Sequence, residues 1–152
     1  MPKGARVLPA ACLERLRAAD LILHAGDLVA RSFLDELRGL GPPVEAVHGN
    51  VDEPELRALL PKERVVEPGG MRVGMTHVPG PRAGRERRLT ARFPGCRAIV
   101  YGHTHRQLVT RAGGRLVVNP GAAGARRFDL TPSVARLTIA DGHADVELLP
   151  LG

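Results

Sequence analysis

Polar segments of a kind that binds metal ions follow several apolar segments of this sequence. In chain order, these polar segments contribute Asp27, Asn50, His77, His103 and His105. Their carboxylate, carboxamide and imidazole groups form the mixed oxygen and nitrogen ligand set that Zn, Mn, Fe or Ni accepts. Such a set suits two divalent ions about 3.5–4 Å apart that share a bridging carboxylate, which is an arrangement used to hydrolyse phosphoesters.

The spacing within and around the polar segments fits this chemistry. His103 and His105 are two positions apart, so their imidazoles lie on one side of an extended segment, whereas a turn directs them toward two neighbouring ions. Glycines stand directly before three of the segments, at Gly26, Gly49 and Gly102. Because glycine has no side chain, it lets the backbone turn closely around a site.

Each polar segment also has an ordinary structural interpretation. Gly49-Asn50 is a common turn dipeptide, in which the Asn side chain bonds its own backbone. His24 and His48 fit hydrogen-bonded histidines near the core better than they fit ligands. Asp52 either orients the loop that carries Asn50 or caps the helix after it. The order and spacing of the whole set favour a metal site over these separate interpretations.

Predicted strands and helices position the polar segments. Apolar runs predict strands at residues 21–23, 44–47 and 98–101, helical spacing predicts helices at 10–19, 32–39, 54–60 and 82–93, and turn residues predict hairpins at 64–75, 108–118 and 134–149. This pattern predicts one α/β domain over residues 1–152, with two packed sheets and helices outside them. Polar side chains that follow the buried strands of such a sheet face a ligand crevice.

The composition excludes several classes of protein. There are 22 Lys and Arg against 16 Asp and Glu, and the resulting net charge of +6 favours anionic ligands. The aromatic residues are three Phe and one Tyr, which argues against a base-stacking platform for single-stranded nucleic acid. Since no apolar run is long enough for a membrane span or a signal peptide, we expect a cytoplasmic protein without membrane partners. Cys12 and Cys96 are expected to be reduced.

Taken in order, the motifs resemble those of the calcineurin-like metallophosphoesterases and, more narrowly, of the small YfcE-type phosphodiesterases in that superfamily. The resemblance covers almost the whole chain and implies an αββα two-sheet sandwich with a two-metal site at the strand ends. The motifs that carry it are LILHAGD (21–27), VHGNVDEPELRALLP (47–61), MTH (75–77), VYGHTH (100–105) and VVNPGAAGARR (117–127).

The resemblance also implies a role for each ligand. Asp27 bridges both metals, Asn50, His77 and His103 complete the second metal, and His105 belongs to the first. These five residues form the expected catalytic set. The ions (Mn, Ni, Fe, Zn or Mg) hold a hydroxide that attacks phosphorus in line, and they neutralise the charge on the phosphoryl oxygens.

The expected substrate is a small phosphodiester, with nucleic acid considered only as a substrate and a homo-oligomer left open. Asn50, Arg126 and Arg127 are the expected phosphate contacts. Val51 occupies a position where many superfamily members have a His that protonates the leaving group. Because Val cannot transfer a proton, we expect a preference for diesters with good leaving groups. A group of arginines forms either a rim for phosphate or a solvated helix face: Arg82, Arg85, Arg87, Arg88 and Arg92.

One departure from the superfamily pattern lies at the N-terminus. Superfamily members open with an apolar strand that ends in Asp-x-His, and both of these residues bind the first metal. No such motif is present, so the first metal retains Asp27 and His105. We expect that the sequence begins late, at an internal Met, and lacks this first strand. The alternative is a catalytically impaired member that serves as an interaction module, as in retromer-type relatives.

Overall fold

The structure, a computed structural model, describes residues 10–28, 30–104, 106–112, 114–121 and 133–150. It confirms a mixed α/β fold with helices and strands close to the predicted positions. In chain order, the elements are α1 (Ala10–Arg17), β1 (Ile22–His24), α2 (Arg31–Arg38), β2 (Val44–Ala46), α3 (Pro54–Leu59), β3 (Glu63–Val66), a 3₁₀ helix (Pro68–Gly70), β4 (Val73–Thr76), α4 (Arg85–Arg92), β5 (Ala98–Tyr101), β6 (Leu108–Ala112), β7 (Arg115–Asn119), β8 (Ser133–Ala140) and β9 (His143–Pro150).

A five-stranded sheet with the order β3-β4-β5-β7-β6 forms the centre of the fold. Its three middle strands are parallel, and β3 and β6 pair with them in antiparallel orientation at the two edges. All residues of β4 and β5 are buried, as expected for parallel strands covered on both faces. Because parallel strands end at the same edge, the segments after β4 and β5 leave the sheet side by side.

A second strand layer packs on one face of the five-stranded sheet. It consists of the parallel pair β1–β2 and the hairpin β8–β9. Leu23 from β1, Ala135 from β8 and Val146 from β9 contact the apolar side chains of the central sheet, among them Met75 and Val100. The expectation of two sheets therefore needs correction. Within the described residues the second layer is divided in two, because no hydrogen-bonded ladder joins β1–β2 to β8–β9.

Helices cover the outer faces of both strand layers. On the far side of the five-stranded sheet, Leu89 and Phe93 of α4 pack against Ile99 and Tyr101. At Gly74, an added Cβ would lie 2.5 Å from the Phe93 ring, so glycine allows this close approach of helix and sheet.

The other outer layer is formed by α2 and α3, which pack against β2. Leu34 and Leu37 of α2, Leu56 of α3 and Ala46 of β2 belong to one buried cluster. On α2, Leu34 and Leu37 are spaced i, i+3, so they lie on the apolar stripe that faces the strands. Helices therefore lie outside both strand layers.

Two further expectations agree with the structure. Cys12 and Cys96 are free, buried thiols, and burial raises the pKa of both. Among the described segments, no helix is both long and apolar enough to cross a membrane.

The buried cluster around α2 makes a testable prediction. Leu34 is 0% exposed, whereas Leu59, also on a helix, is 44% exposed. Leu34→Ala should lower the free energy of unfolding by about 2–5 kcal/mol, since it removes apolar contacts and leaves a cavity. Leu59→Ala is the matched control and should cost less than about 1 kcal/mol. Urea denaturation followed by circular dichroism measures both, and equal losses would contradict the assigned packing.

Candidate functional site

The loops after four strands meet at one edge of the fold and bring four predicted ligands together. Asp27 follows β1, Asn50 follows β2, His77 follows β4, and His103 follows β5. Two of these residues thus come from each strand layer. Asp27 and His77 are buried, while Asn50 and His103 are exposed to solvent. We call these four residues the donor cluster.

The side chains of the donor cluster lie within hydrogen-bonding distance of one another. His77 Nε2 is 2.8 Å from Asn50 Oδ1 and 3.2 Å from Asp27 Oδ2. His103 Nδ1 is 3.2 Å from the same Asn50 oxygen. The two imidazole rings meet edge to face with their centroids 5.3 Å apart. Residues that are up to 76 positions apart in sequence (Asp27 and His103) therefore lie in one cluster of contacting side chains.

A backbone carbonyl fixes the tautomer of His77. His77 Nδ1 lies 2.7 Å from the carbonyl oxygen of Ala25, and a carbonyl can only accept, so Nδ1–H is the donor. In the neutral ring the lone pair is then on Nε2, which faces the oxygens of Asp27 and Asn50. Contacts between acceptor atoms are repulsive unless a proton or a cation lies among them.

The electrostatics of the site favour positive charge at His77. Burial alone lowers the pKa of His77. Hydrogen bonds that the ring donates to Asp27 and to the Ala25 carbonyl, together with the negative charges of Asp27 and Asp52, act in the opposite direction and raise this pKa above its usual value. The same field that stabilises a proton on His77 also attracts a metal cation.

Backbone hydrogen bonds shape the loop that carries Asn50. Gly49 N–H donates to Asp52 Oδ2 at 2.6 Å, and Val51 N–H donates to Asp27 Oδ1 at 3.2 Å. The N-cap of α3 is Glu53. Of the two interpretations of Asp52, the structure thus supports the one in which its buried carboxylate orients this loop.

Two of the three glycines make approaches that no other residue would allow. A Cβ at Gly49 would lie 2.1 Å from Asp27 Oδ1 and 2.3 Å from Asp27 N. A Cβ at Gly26 would lie 2.6 Å from His77 Nδ1, and Gly26 also has a φ of +103°. At Gly102 the closest approach is looser, at 3.1 Å from the Ala25 carbonyl oxygen. The expectation of close backbone turns is confirmed most clearly at Gly26 and Gly49.

The donor cluster fits a divalent metal ion in chemistry and in spacing. Metal bonds of about 2.0–2.2 Å to nitrogen and oxygen place neighbouring ligand atoms about 3 Å apart. The separations in the donor cluster are 2.8 to 3.2 Å. In the described part of the chain, no group of three or more His, Cys, Asp and Glu side chains is arranged to hold a metal by itself. Both histidines contact the carboxamide oxygen of Asn50, so this oxygen would complete a ligand set that includes a side-chain amide.

The remaining predicted site residues lie outside the described part of the chain. These are His105, Arg126 and Arg127. Of the other histidines, His24 agrees with its structural interpretation, whereas the buried Nδ1 of His48 has no hydrogen-bond partner among the described residues, which contradicts the expectation of a hydrogen-bonded ring. His24 Nδ1 accepts a hydrogen bond from Gly26 N–H at 3.1 Å, and His143 is exposed at the start of β9.

Arginines of α4 have a role that the sequence did not reveal. Arg85 donates to the carbonyl of Gly80 at 2.9 Å, and Arg88 donates to the carbonyl of Ala83 at 2.6 Å. Arg92 donates to Thr76 Oγ1 at 3.2 Å, directly before His77 in sequence. Arg85 and Arg88 thus hold the segment that follows His77, and Arg92 contacts the end of β4 that precedes it.

The protein thus has a mixed α/β fold with a cluster of possible metal ligands after four of its strands. Residues 4–142 match the calcineurin-like phosphoesterase superfamily domain, and the chain belongs to this superfamily.

Particular relatives share most of their length with the chain. It is 33% identical to a "Probable metallophosphoesterase" of Methanothermobacter thermautotrophicus over 100% of the chain and 88% of that protein. It is 31% identical to a similarly named protein of Methanocaldococcus jannaschii over 95% of the chain and 73% of that protein. A crystal structure of wild-type Vps29 from Entamoeba histolytica, complexed with Zn²⁺, is similar with a TM-score of 0.75 and 25% identity, covering 99% of this chain and 93% of that one.

The close approach at Gly49 predicts the effect of a single methyl group. Gly49→Ala should displace Asp27 and weaken Mn²⁺ binding about tenfold or more, because changes beside metal ligands have effects of this size. Gly39→Ala is the control, since a Cβ there meets only ordinary contacts at 3.5 Å. Isothermal titration calorimetry with Mn²⁺ compares both variants with the wild type. An unchanged affinity in Gly49→Ala would contradict the placement of Asp27 in the metal site.

Proposed function

We propose that the protein is a metal-dependent phosphoesterase that hydrolyses small phosphodiesters. The observation that carries this proposal is the convergence of a carboxylate, a carboxamide and two imidazoles at the strand ends, with acceptor atoms facing one another. Membership of the calcineurin-like phosphoesterase superfamily supports the same reaction class.

The proposed ligands divide between two divalent ions. Asp27 would hold both ions, Asn50, His77 and His103 would hold the second, and His105 would hold the first. The donor types suit Mn, Ni, Fe, Zn or Mg. When bound, such ions supply Lewis acidity, which lowers the pKa of water and offsets the charge that builds on the phosphoryl oxygens.

The chain itself prepares this site in three ways. The Ala25 carbonyl holds the proton on Nδ1 of His77, so that Nε2 is directed to the ligand position. Asp27 supplies negative charge at a buried position, where its attraction for a cation is weakly screened. Asn50 is exposed at the edge of the donor cluster, where it is placed to contact a phosphate oxygen as well.

The substrate preference follows from what surrounds the donor cluster. Val51 is 51% exposed next to Asn50 and carries no proton to donate to a leaving group. Diesters with good leaving groups are therefore the proposed substrates. The net charge of +6 attracts phosphate esters, and Arg126 and Arg127 are the proposed phosphate contacts. We place the reaction in the cytoplasm.

Hydrolysis of bis-p-nitrophenyl phosphate tests the proposal. Activity should require Mn²⁺ or Ni²⁺ and should disappear with EDTA. His103→Ala should lower kcat/KM by about 10²-fold or more, as loss of a group that stabilises the transition state does. His143→Ala is the matched control because it removes an exposed histidine from the β8–β9 hairpin. Absence of metal-dependent hydrolysis in the wild type, or equal rates in the two variants, would overturn the proposal.

A second candidate is a non-catalytic interaction module of the retromer-subunit type. The similarity to the Vps29 structure favours this candidate, since it covers nearly the whole length of both chains. The same assay distinguishes the candidates, because an interaction module would bind Mn²⁺ in calorimetry without hydrolysing the diester.

A further inference from the structure

A buried asparagine outside the donor cluster directs its side chain at the loop that carries His103. Asn119 ends β7 and is 0% exposed. Its Nδ2 donates to Thr104 Oγ1 at 2.8 Å and, at the longer distance of 3.5 Å, to the Gly102 carbonyl. Its Oδ1 accepts from Gly121 N–H at 2.9 Å. The carboxamide of Asn119 therefore joins the end of β7 to the loop after β5.

The two bonds from Nδ2 reach the residues on either side of His103. His103 has a φ of +70°, a left-handed conformation that residues with a side chain rarely adopt. Thr104 N–H also donates to the Gly102 carbonyl at 2.8 Å, which closes a tight turn around His103. Such a backbone persists only where surrounding contacts hold it in place.

We propose that Asn119 is a positioning residue that holds His103 in this conformation, and thereby keeps its imidazole against Asn50. This inference rests on the proposed function of the donor cluster as a metal site. Asn119 acts through Thr104, which stands between His103 and His105 in sequence. One buried amide thus holds the residues on either side of His103.

The chemistry of the contact argues for a positioning role rather than simple core filling. A buried carboxamide costs free energy unless its polar atoms are hydrogen-bonded, and both polar atoms of Asn119 have partners. The Nδ2 group of Asn119 donates its hydrogen bonds to the loop that carries His103. Ser133 offers a contrast nearby: it is equally buried, but its hydroxyl donates to the Pro120 carbonyl at 2.7 Å.

The test removes the acceptor with little change in side-chain shape. Thr104→Val is nearly isosteric and deletes the hydroxyl that Asn119 bonds, which also accepts from Arg106 N–H at 3.3 Å, whereas Thr104→Ser keeps it. Asn119→Asp removes the donor and retains the acceptor for Gly121. Ser133→Ala is the control, because it deletes a buried hydrogen bond that does not reach the His103 loop.

Two readouts compare these variants with the wild type. In the metal-free protein, the ¹H–¹³C imidazole signal of His103, assigned by its loss in His103→Ala, should shift or broaden in Thr104→Val and Asn119→Asp. Mn²⁺ affinity from calorimetry should fall about tenfold in the same two variants. Thr104→Ser and Ser133→Ala should keep both the His103 signal and the affinity of the wild type.

The outcomes separate this inference from the proposed function. If Thr104→Val retains the His103 signal and the Mn²⁺ affinity, or if Ser133→Ala changes them equally, the positioning role is wrong. If the wild type binds no Mn²⁺, the proposed function fails, while the His103 signal still decides the role of Asn119. Should Asn119→Asp fail to fold by circular dichroism, Thr104→Val with its Thr104→Ser counterpart decides the matter.

Discussion

The geometry of the donor cluster depends on one constraint, which is that hydrogen-bond acceptor atoms face one another in a partly buried site. His77 Nε2 lies 2.8 Å from Asn50 Oδ1 and 3.2 Å from Asp27 Oδ2. The Ala25 carbonyl keeps the proton of the imidazole ring on the opposite nitrogen, Nδ1. Such an arrangement is favourable only when positive charge is present among the acceptors. The glycines, the strand ends and the buried carboxylate of Asp52 all serve to maintain it.

This arrangement of the site includes strained backbone conformations, which cost free energy. In the described part of the chain, three residues other than glycine have positive φ, namely Asp27, His103 and Asp141. Asp141 lies in the turn of the β8–β9 hairpin, where Asp-Gly commonly adopts this conformation. The other two belong to the donor cluster. Strained backbone therefore occurs at the site, and it is held by contacts such as those of Asn119.

Local sequence patterns could predict the strands, the helices and the residues at the strand ends. β5 was recognisable because burial on both faces requires a continuous apolar run, whereas β4 was recognised as part of a hairpin. Asp27, Asn50, His77 and His103 could be grouped because they follow strands of one α/β pattern. The division of the second strand layer could not be predicted, since strand pairing depends on contacts between distant segments. Asn119 was missed for the same reason: Asn-Pro-Gly has the pattern of a turn, and its partner Thr104 is 15 positions away.

The donor cluster takes two residues from each strand layer, and this has a consequence for the stability of the whole protein. A metal ion bound there would link the two strand layers. One of the linked sheets, β1–β2, has strands of only three residues. Ligands that bind only the folded state stabilise it by RT ln(1 + [L]/Kd). The concentration of that metal would then affect how stably the two layers are held together.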